Sequence, residues 1–238
     1  MMASGRPGSE EAAEPTRVPP DPIIPSLYAA DHARLHDAVA AFMALGVRHY
    51  HFDVMDGAFV PARGLDLAIL PSLVRAFPQA AFDVHLMVCA PAEDARTAIA
   101  SGAASVSFHP ESHSEPDAVL TAIRGAGARA GVAIGPDYDP FANSNLITHA
   151  DYLVAMLIEP GTRGAPCQPR LVAKLAAMRR RWPDLPIIAD GGVNDRVLES
   201  ILASGATSAI VGGALFEPPA NVAYKALQKA LGCLNAAL

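Results

Sequence analysis

From Pro22 onward the chain alternates short β-branched and apolar runs with longer alanine-rich stretches whose apolar positions recur at helical spacing. The short runs are Ile23 to Leu27, His49 to Val54, Phe82 to Val88, Ser105 to His109, Ala130 to Ile134, Tyr152 to Leu157, Pro186 to Asp190 and Ser208 to Val211, which gives eight candidate strands. Between them the spacing predicts helices over Ala33 to Leu45, Asp66 to Phe77, Ala92 to Ala100, Pro116 to Ala126, Pro169 to Arg181, Arg196 to Ala203 and Pro219 to Leu231. Three of these run out into Gly46, Gly102 and Gly205, the residue type that a left-handed helix stop prefers. Strict strand–helix alternation predicts a parallel sheet covered by helices, and eight units in about 215 residues fit one closed barrel. A doubly wound sheet is the alternative. It would normally carry a GxGxxG turn after the first strand, and Pro25-Ser26-Leu27-Tyr28-Ala29-Ala30 has none. The fold class expected is therefore α/β, a single (β/α)8 TIM barrel over residues 22–238.

Composition narrows the setting. With 238 residues and 51% hydrophobic content, the chain can bury a large single core. Residues 1–21 hold almost no large apolar side chain and read as a disordered leader, in which Glu10, Glu11 and Glu14 argue against a mitochondrial presequence. A net charge of −6 gives no basic face for nucleic acid and no polybasic patch for a membrane. No apolar run reaches the ~20 residues of a membrane span. Cys89, Cys167 and Cys233 are odd in number and far apart, so the expected compartment is the reducing cytoplasm, while the acidic balance makes a small molecule the expected partner.

In a barrel the chemistry gathers where strands end. Strand two ends in HFDVMDG, and a period of two puts His51, Asp53 and Met55 on one face. In strand three His85 and Met87 share a face, and strand seven ends at Asp190 before Gly191 and Gly192. If those faces point inward, His51, His85, Asp53 and Asp190 form a set suited to a divalent metal. Two nitrogens favour Zn2+ or Fe2+ over Mg2+, with Mn2+ and Co2+ also compatible. The bland alternative for a strand histidine is a hydrogen-bonded core residue. His32 and His36, four apart, look like another ligand pair but have no carboxylate shell beyond Asp31 and read as a solvated helix face, while His109, Glu111 and His113 follow strand four and could line the mouth, a plain surface loop being the default for such a polar run. Met55, Met87 and Met156 are core filling at their plainest, and otherwise an apolar wall over a reacting carbon.

Lysine usage excludes chemistry. Schiff-base barrels, and decarboxylases that set a lysine between aspartates, need a lysine at a strand end. Here the lysines are Lys174, Lys225 and Lys229, all on expected outer helices. There is no GxSxG elbow and no cysteine with an evident histidine partner, so nucleophilic hydrolysis lacks a vehicle as well.

At these residues the sequence resembles the ribulose-phosphate 3-epimerase family, from Pro25-Ser26 to Gly212-Gly213. The carrying motifs are HFDVMDG with Phe59-Val60-Pro61, DVHLMV at 83 to 88 and DGGVN at 190 to 194. The resemblance implies a divalent ion on His51, Asp53, His85 and Asp190, with Asp53 and Asp190 as acid/base pair. It further implies a substrate contact from Ser26, a ketose phosphate as substrate, no organic cofactor, and assembly as a homo-oligomer, dimer or hexamer.

Departures from the family pattern cluster in the loops that read the far end of a substrate. The glycine-rich loop usually close to PGFGGQ reads Pro160-Gly161-Thr162-Arg163-Gly164-Ala165-Pro166-Cys167-Gln168, with Arg163 displacing a glycine as a potential charge-assisted donor. Gly212-Gly213 replaces the usual glycine-serine, losing a hydroxyl and keeping amides. Gly135 replaces an asparagine, and Tyr28 an aliphatic residue. The expected reaction is 3-epimerisation of D-ribulose 5-phosphate to D-xylulose 5-phosphate. Its rivals are an epimerase for another ketose or ketose phosphate, such as a hexulose 6-phosphate, and a sugar-phosphate-binding barrel without turnover.

Overall fold

The computed structural model describes residues 21–217 and 219–235. Eight parallel strands form the sheet: β1 (Ile23–Pro25), β2 (His49–Met55), β3 (Ala81–Met87), β4 (Ser105–Phe108), β5 (Arg129–Ile134), β6 (Tyr152–Met156), β7 (Ile187–Asp190) and β8 (Ser208–Val211). Their order is β1-β8-β7-β6-β5-β4-β3-β2, and a single parallel bridge between Ser26 and His51 joins the two ends into a nearly closed barrel. The helices are α1 (Leu35–Ala44), α2 (Leu70–Ala76), α3 (Pro91–Ala100), α4 (Pro116–Gly125), α5 (Ser144–Thr148), α6 (Pro169–Arg181), α7 (Leu198–Ala203), α8 (Gly213–Phe216) and α9 (Ala220–Asn235). The TIM barrel expected from the alternation is the fold observed.

Local chemistry accounts for the helices. α3, α4 and α6 each open on a proline, where the missing N–H costs nothing and φ is already helical. α6 buries Leu171, Leu175 and Met178 on one face and carries Arg179, Arg180 and Arg181 in its last turn, where cations oppose the negative end of the helix dipole. Gly46, Gly102 and Gly205 take the left-handed backbone, at φ 93°, 95° and 109°. Differences from expectation lie at the ends. The first strand stops at Pro25, and the predicted first two helices begin as 3-10 turns at His32–Arg34 and Leu67–Ile69. α5 and α8 are additional; at five and four residues they are too short to show a helical period.

The expectation for the leader falls on residues outside those described, apart from Asp21. Its carboxylate accepts from the Arg48 and His49 amides at 2.7 and 3.0 Å, capping the start of β2. Among the described residues no helix is long and apolar enough to cross a membrane.

Among the described residues apolar packing falls into two main compartments, beside a small cluster of Met55, Val60 and Met87. The large one lies between strands and helices, with Val39, Phe42, Leu70, Ile123, Leu175 and Leu198 among its members. The smaller one fills the barrel itself with Ile24, Ala133, Tyr152, Val154, Met156, Ile188 and Ile210. These come from β1 and β5 to β8. The β2–β4 sector is polar instead, holding buried His51, Asp53, Asp83, His85 and Ser107, with His109 following β4. Burying so many polar groups costs several kcal/mol apiece unless they are paired.

Candidate active site

Register brings the site together. β2 and β3 pair so that His51 faces Asp83, Asp53 faces His85 and Met55 faces Met87. Across β6 and β7, Met156 lies opposite Asp190. Ligand atoms of His51, Asp53, His85 and Asp190 all lie within 4.8 Å of one another. The inward face expected for each of the four is the face each presents.

The hydrogen bonds fix which atoms converge. His51 Nε2 lies 3.1 Å from Asp53 Oδ1 and 4.0 Å from Asp190 Oδ2. His85 Nδ1 has no hydrogen-bond partner although fully buried, and sits 3.5 Å from Asp53 Oδ1 and 3.7 Å from Asp190 Oδ2. An orphaned ring nitrogen aimed at two carboxylates is costly as it stands and is what a cation between them would satisfy. The donor set of two imidazoles and two carboxylates thus fits a divalent ion. Ser26 Oγ donates to Asp53 Oδ2 at 2.8 Å, leaving Oδ1 to the cluster.

Charge is distributed unequally. Burial raises the Asp53 carboxyl pKa, but His51 and His85 outweigh it and hold the group far below the usual carboxylate range. Asp190 has weaker support: burial, with Asp53 and Asp83 adding to it against His51, pushes it up to about 7. Burial disfavours the His51 cation, yet Asp53 and Asp83 together hold its pKa well above the ordinary imidazole value. An ion entering the cluster therefore displaces protons.

Sequence reasoning missed three surrounding groups. Asp83 Oδ2 lies 2.8 Å from His51 Nδ1, on the side of the ring away from the cluster. The signal was present, since Asp83 stands two residues before His85 on the same strand face. His109, read by default as part of a surface loop, is fully buried; its Nε2 lies 3.1 Å from His85 Nε2, and the Phe59 ring lies tilted against it with centroids 5.0 Å apart. It continues the inward face of β4 one residue past the strand, so the strand end, rather than the polar run after it, was the better guide. Glu111 follows it, 3.4 Å from His109 Nδ1. The third is Tyr152, at the start of β6. His32 and His36 are exposed on the helical surface, as expected.

Above the cluster opens a cavity of about 690 Å³. Ser26, Met55, Met87, Met156, Gly161, Arg163, Gly164, Gly191, Gly192, Gly212 and Gly213 all line it, with Asp53 and Asp190 at its floor. Gly192 has no room for a side chain, because a Cβ there would lie 2.2 Å from the Cys167 amide nitrogen. Among the described residues Arg163 is the sole cation of the lining; its guanidinium lies over the Tyr28 ring at 4.9 Å and its Nη2 reaches the Ala29 carbonyl at 3.4 Å. Glu217, also in the lining, puts Oε1 3.3 Å from where a Gly213 side chain would start. Lys174 lies on α6 outside this lining, its ammonium given to the carbonyls of Gly135, Pro136 and Tyr138.

A sequence model described as the ribulose-phosphate 3 epimerase family matches residues 22–216. The chain belongs to that family. Among its relatives, the ribulose-phosphate 3-epimerase of Mycobacterium tuberculosis is 35% identical over 223 residues, covering 91% of this chain and 96% of the other. That of Escherichia coli is 33% identical over 201 residues, covering 83% and 89%. This family membership makes the chain an enzyme of the isomerase class, an epimerase of carbohydrate-phosphate metabolism. Solved structures share the fold at lower identity. A 3-hexulose-6-phosphate synthase superposes with TM-score 0.70 at 16% identity, covering 88% of this chain and 99% of its own. A 3-keto-L-gulonate-6-phosphate decarboxylase from Vibrio cholerae gives 0.69 at 13%, covering 91% and 99%.

Proposed function

We propose that this epimerase inverts the carbon beside the carbonyl of a ketose phosphate, with Asp53 and Asp190 as its two proton-transferring groups. The observation that carries this reading is the meeting of two carboxylates from β2 and β7, on separate parts of the barrel wall, at the floor of one cavity. Removing a proton next to a ketone leaves an enediolate, and inversion requires the proton to leave one face and return to the other. One aspartate accepts and the other delivers, and the roles exchange in the reverse direction. Ser26 keeps Asp53 oriented through Oδ2, so that Oδ1 faces the reacting centre. Met55, Met87 and Met156 provide an apolar wall that keeps water from quenching the enediolate. A divalent ion held by His51, Asp53, His85 and Asp190, Zn2+ or Fe2+ by donor type, would supply charge stabilisation to the enediolate oxygens.

The default substrate pair is D-ribulose 5-phosphate and D-xylulose 5-phosphate, supported by the names of the relatives. Arg163, a cation of the lining, then meets the phosphate as a charge-assisted donor. A second reading, a ketose with a different or uncharged distal end, is favoured by one observation: the Glu217 carboxylate lies against Gly213, where a dianion would be repelled. Steady-state kcat/KM over ribulose 5-phosphate, a hexulose 6-phosphate and unphosphorylated ketoses separates them. Ribulose 5-phosphate should lead, and Arg163→Ala should raise its KM on the order of tenfold while sparing unphosphorylated substrates. A clear preference for another ketose removes the default pair.

A further inference from the structure

Asp83 lies fully inside the barrel, one layer below the cluster, and takes no part in the proton transfers proposed above. It is nonetheless among the most heavily bonded side chains of the interior. Oδ2 lies 2.8 Å from His51 Nδ1, while Oδ1 accepts from Ser105 Oγ at 2.7 Å and from the Tyr152 hydroxyl at 2.5 Å. The Tyr152 hydroxyl reaches it from β6, across the barrel from β3. Its ring occupies space that opens only because the paired residue on β5 is Gly131, where a Cβ would lie 2.3 Å from the ring. The Ser105 and Tyr152 hydroxyls both donate to Oδ1, so the carboxylate acts as acceptor in this network.

We infer that Asp83, anchored by Tyr152 and Ser105, is a positioning residue that fixes the ring angle of His51 before an ion arrives and sets which nitrogen keeps its hydrogen once one binds. An ionised carboxylate has no proton to give, so His51 Nδ1 must carry the hydrogen of the bond between them. Nε2 is thereby the nitrogen offered to the cluster, where it already faces Asp53 and Asp190. The arrangement matches the general logic by which a carboxylate behind an imidazole orients it and raises its basicity as a ligand. Tyr152 adds rigidity from the far wall: with Oδ1 tied to β4 and β6, Asp83 cannot rotate away when His51 is pulled toward an ion.

This inference rests on the metal-binding reading of the cluster, and its test separates the two. Full-length wild type, Asp83→Asn and Tyr152→Phe are stripped of metal and titrated with Zn2+ and Co2+ against a chelating indicator, with melting temperature recorded alongside. Asp83→Asn should weaken binding about 10 to 100-fold. Tyr152→Phe, which keeps the ring and its packing, should weaken it several-fold without a matching loss of melting temperature, and should alter the visible spectrum of the Co2+ form. In the Zn2+-loaded wild type, long-range proton–nitrogen spectra should show His51 protonated at Nδ1. Wild-type affinity in both variants, or a His51 bare at Nδ1, overturns the inference alone. A wild-type chain that binds neither ion overturns the metal reading with it.

Discussion

Asp53 and Asp190 share one cluster yet sit in different fields: two histidines and Ser26 support the first, while the second is buried with less help. Each is required if the proton leaves one face and returns to the other. Asp53→Asn and Asp190→Asn should each lower kcat by about 10² to 10⁴-fold or more with the circular-dichroism spectrum retained. Wild-type-like turnover in either variant takes that carboxylate out of the reaction. The raised pKa of Asp190 also has a thermodynamic signature. A group whose folded pKa exceeds its unfolded one holds more protons folded than unfolded between the two values, so stability falls as pH rises through that window. For Asp190 the window runs from the ordinary 3.8 to about 7. Metal-free wild type should therefore lose stability relative to Asp190→Asn between pH 4 and 8, on the order of 4 kcal/mol by the upper end. Denaturant midpoints measured in chelator across that range check this, and parallel curves would show that Asp190 titrates normally.

At the scale of elements, what could be read in advance follows from how each strand is buried. Parallel strands covered on one side by helices and filled on the other read as continuous apolar runs, which is why all eight were visible. The same continuity hides which way a residue points: β6 is buried throughout, so nothing marked Tyr152 as facing inward. In β2 and β3 the polar residues break the run at a period of two, and His51, Asp53 and His85 were legible for that reason. Asp83 obeyed the same period but has no role that chemistry at a strand end would single out. α5 and α8 are shorter than two helical turns and left no periodic trace. The packing of Tyr152 over β5 gives a direct test. Gly131→Ala sets a methyl into the ring and should cost about 1–3 kcal/mol in denaturant unfolding. A paired Tyr152→Val should recover part of that loss; an unperturbed Gly131→Ala would mean that the ring does not fill the space as described.

For the whole molecule, the barrel interior is divided. An apolar sector from β1 and β5 to β8 provides packing, and a polar sector from β2 to β4 provides the buried chemistry that Asp190 completes from β7. In the proposed reaction, that division keeps the Asp53–Asp190 floor fixed while Tyr28, Arg163 and Glu217, which line the cavity above it, set what the distal end of a substrate meets. The central claim is that a proton leaves the substrate on one face and another arrives on the opposite face from a different carboxylate. Turnover in heavy water measures this most directly. Epimerised ketose phosphate isolated early in the reaction should carry one solvent-derived deuteron at the inverted carbon. Product that keeps its original hydrogen at that carbon would contradict the account.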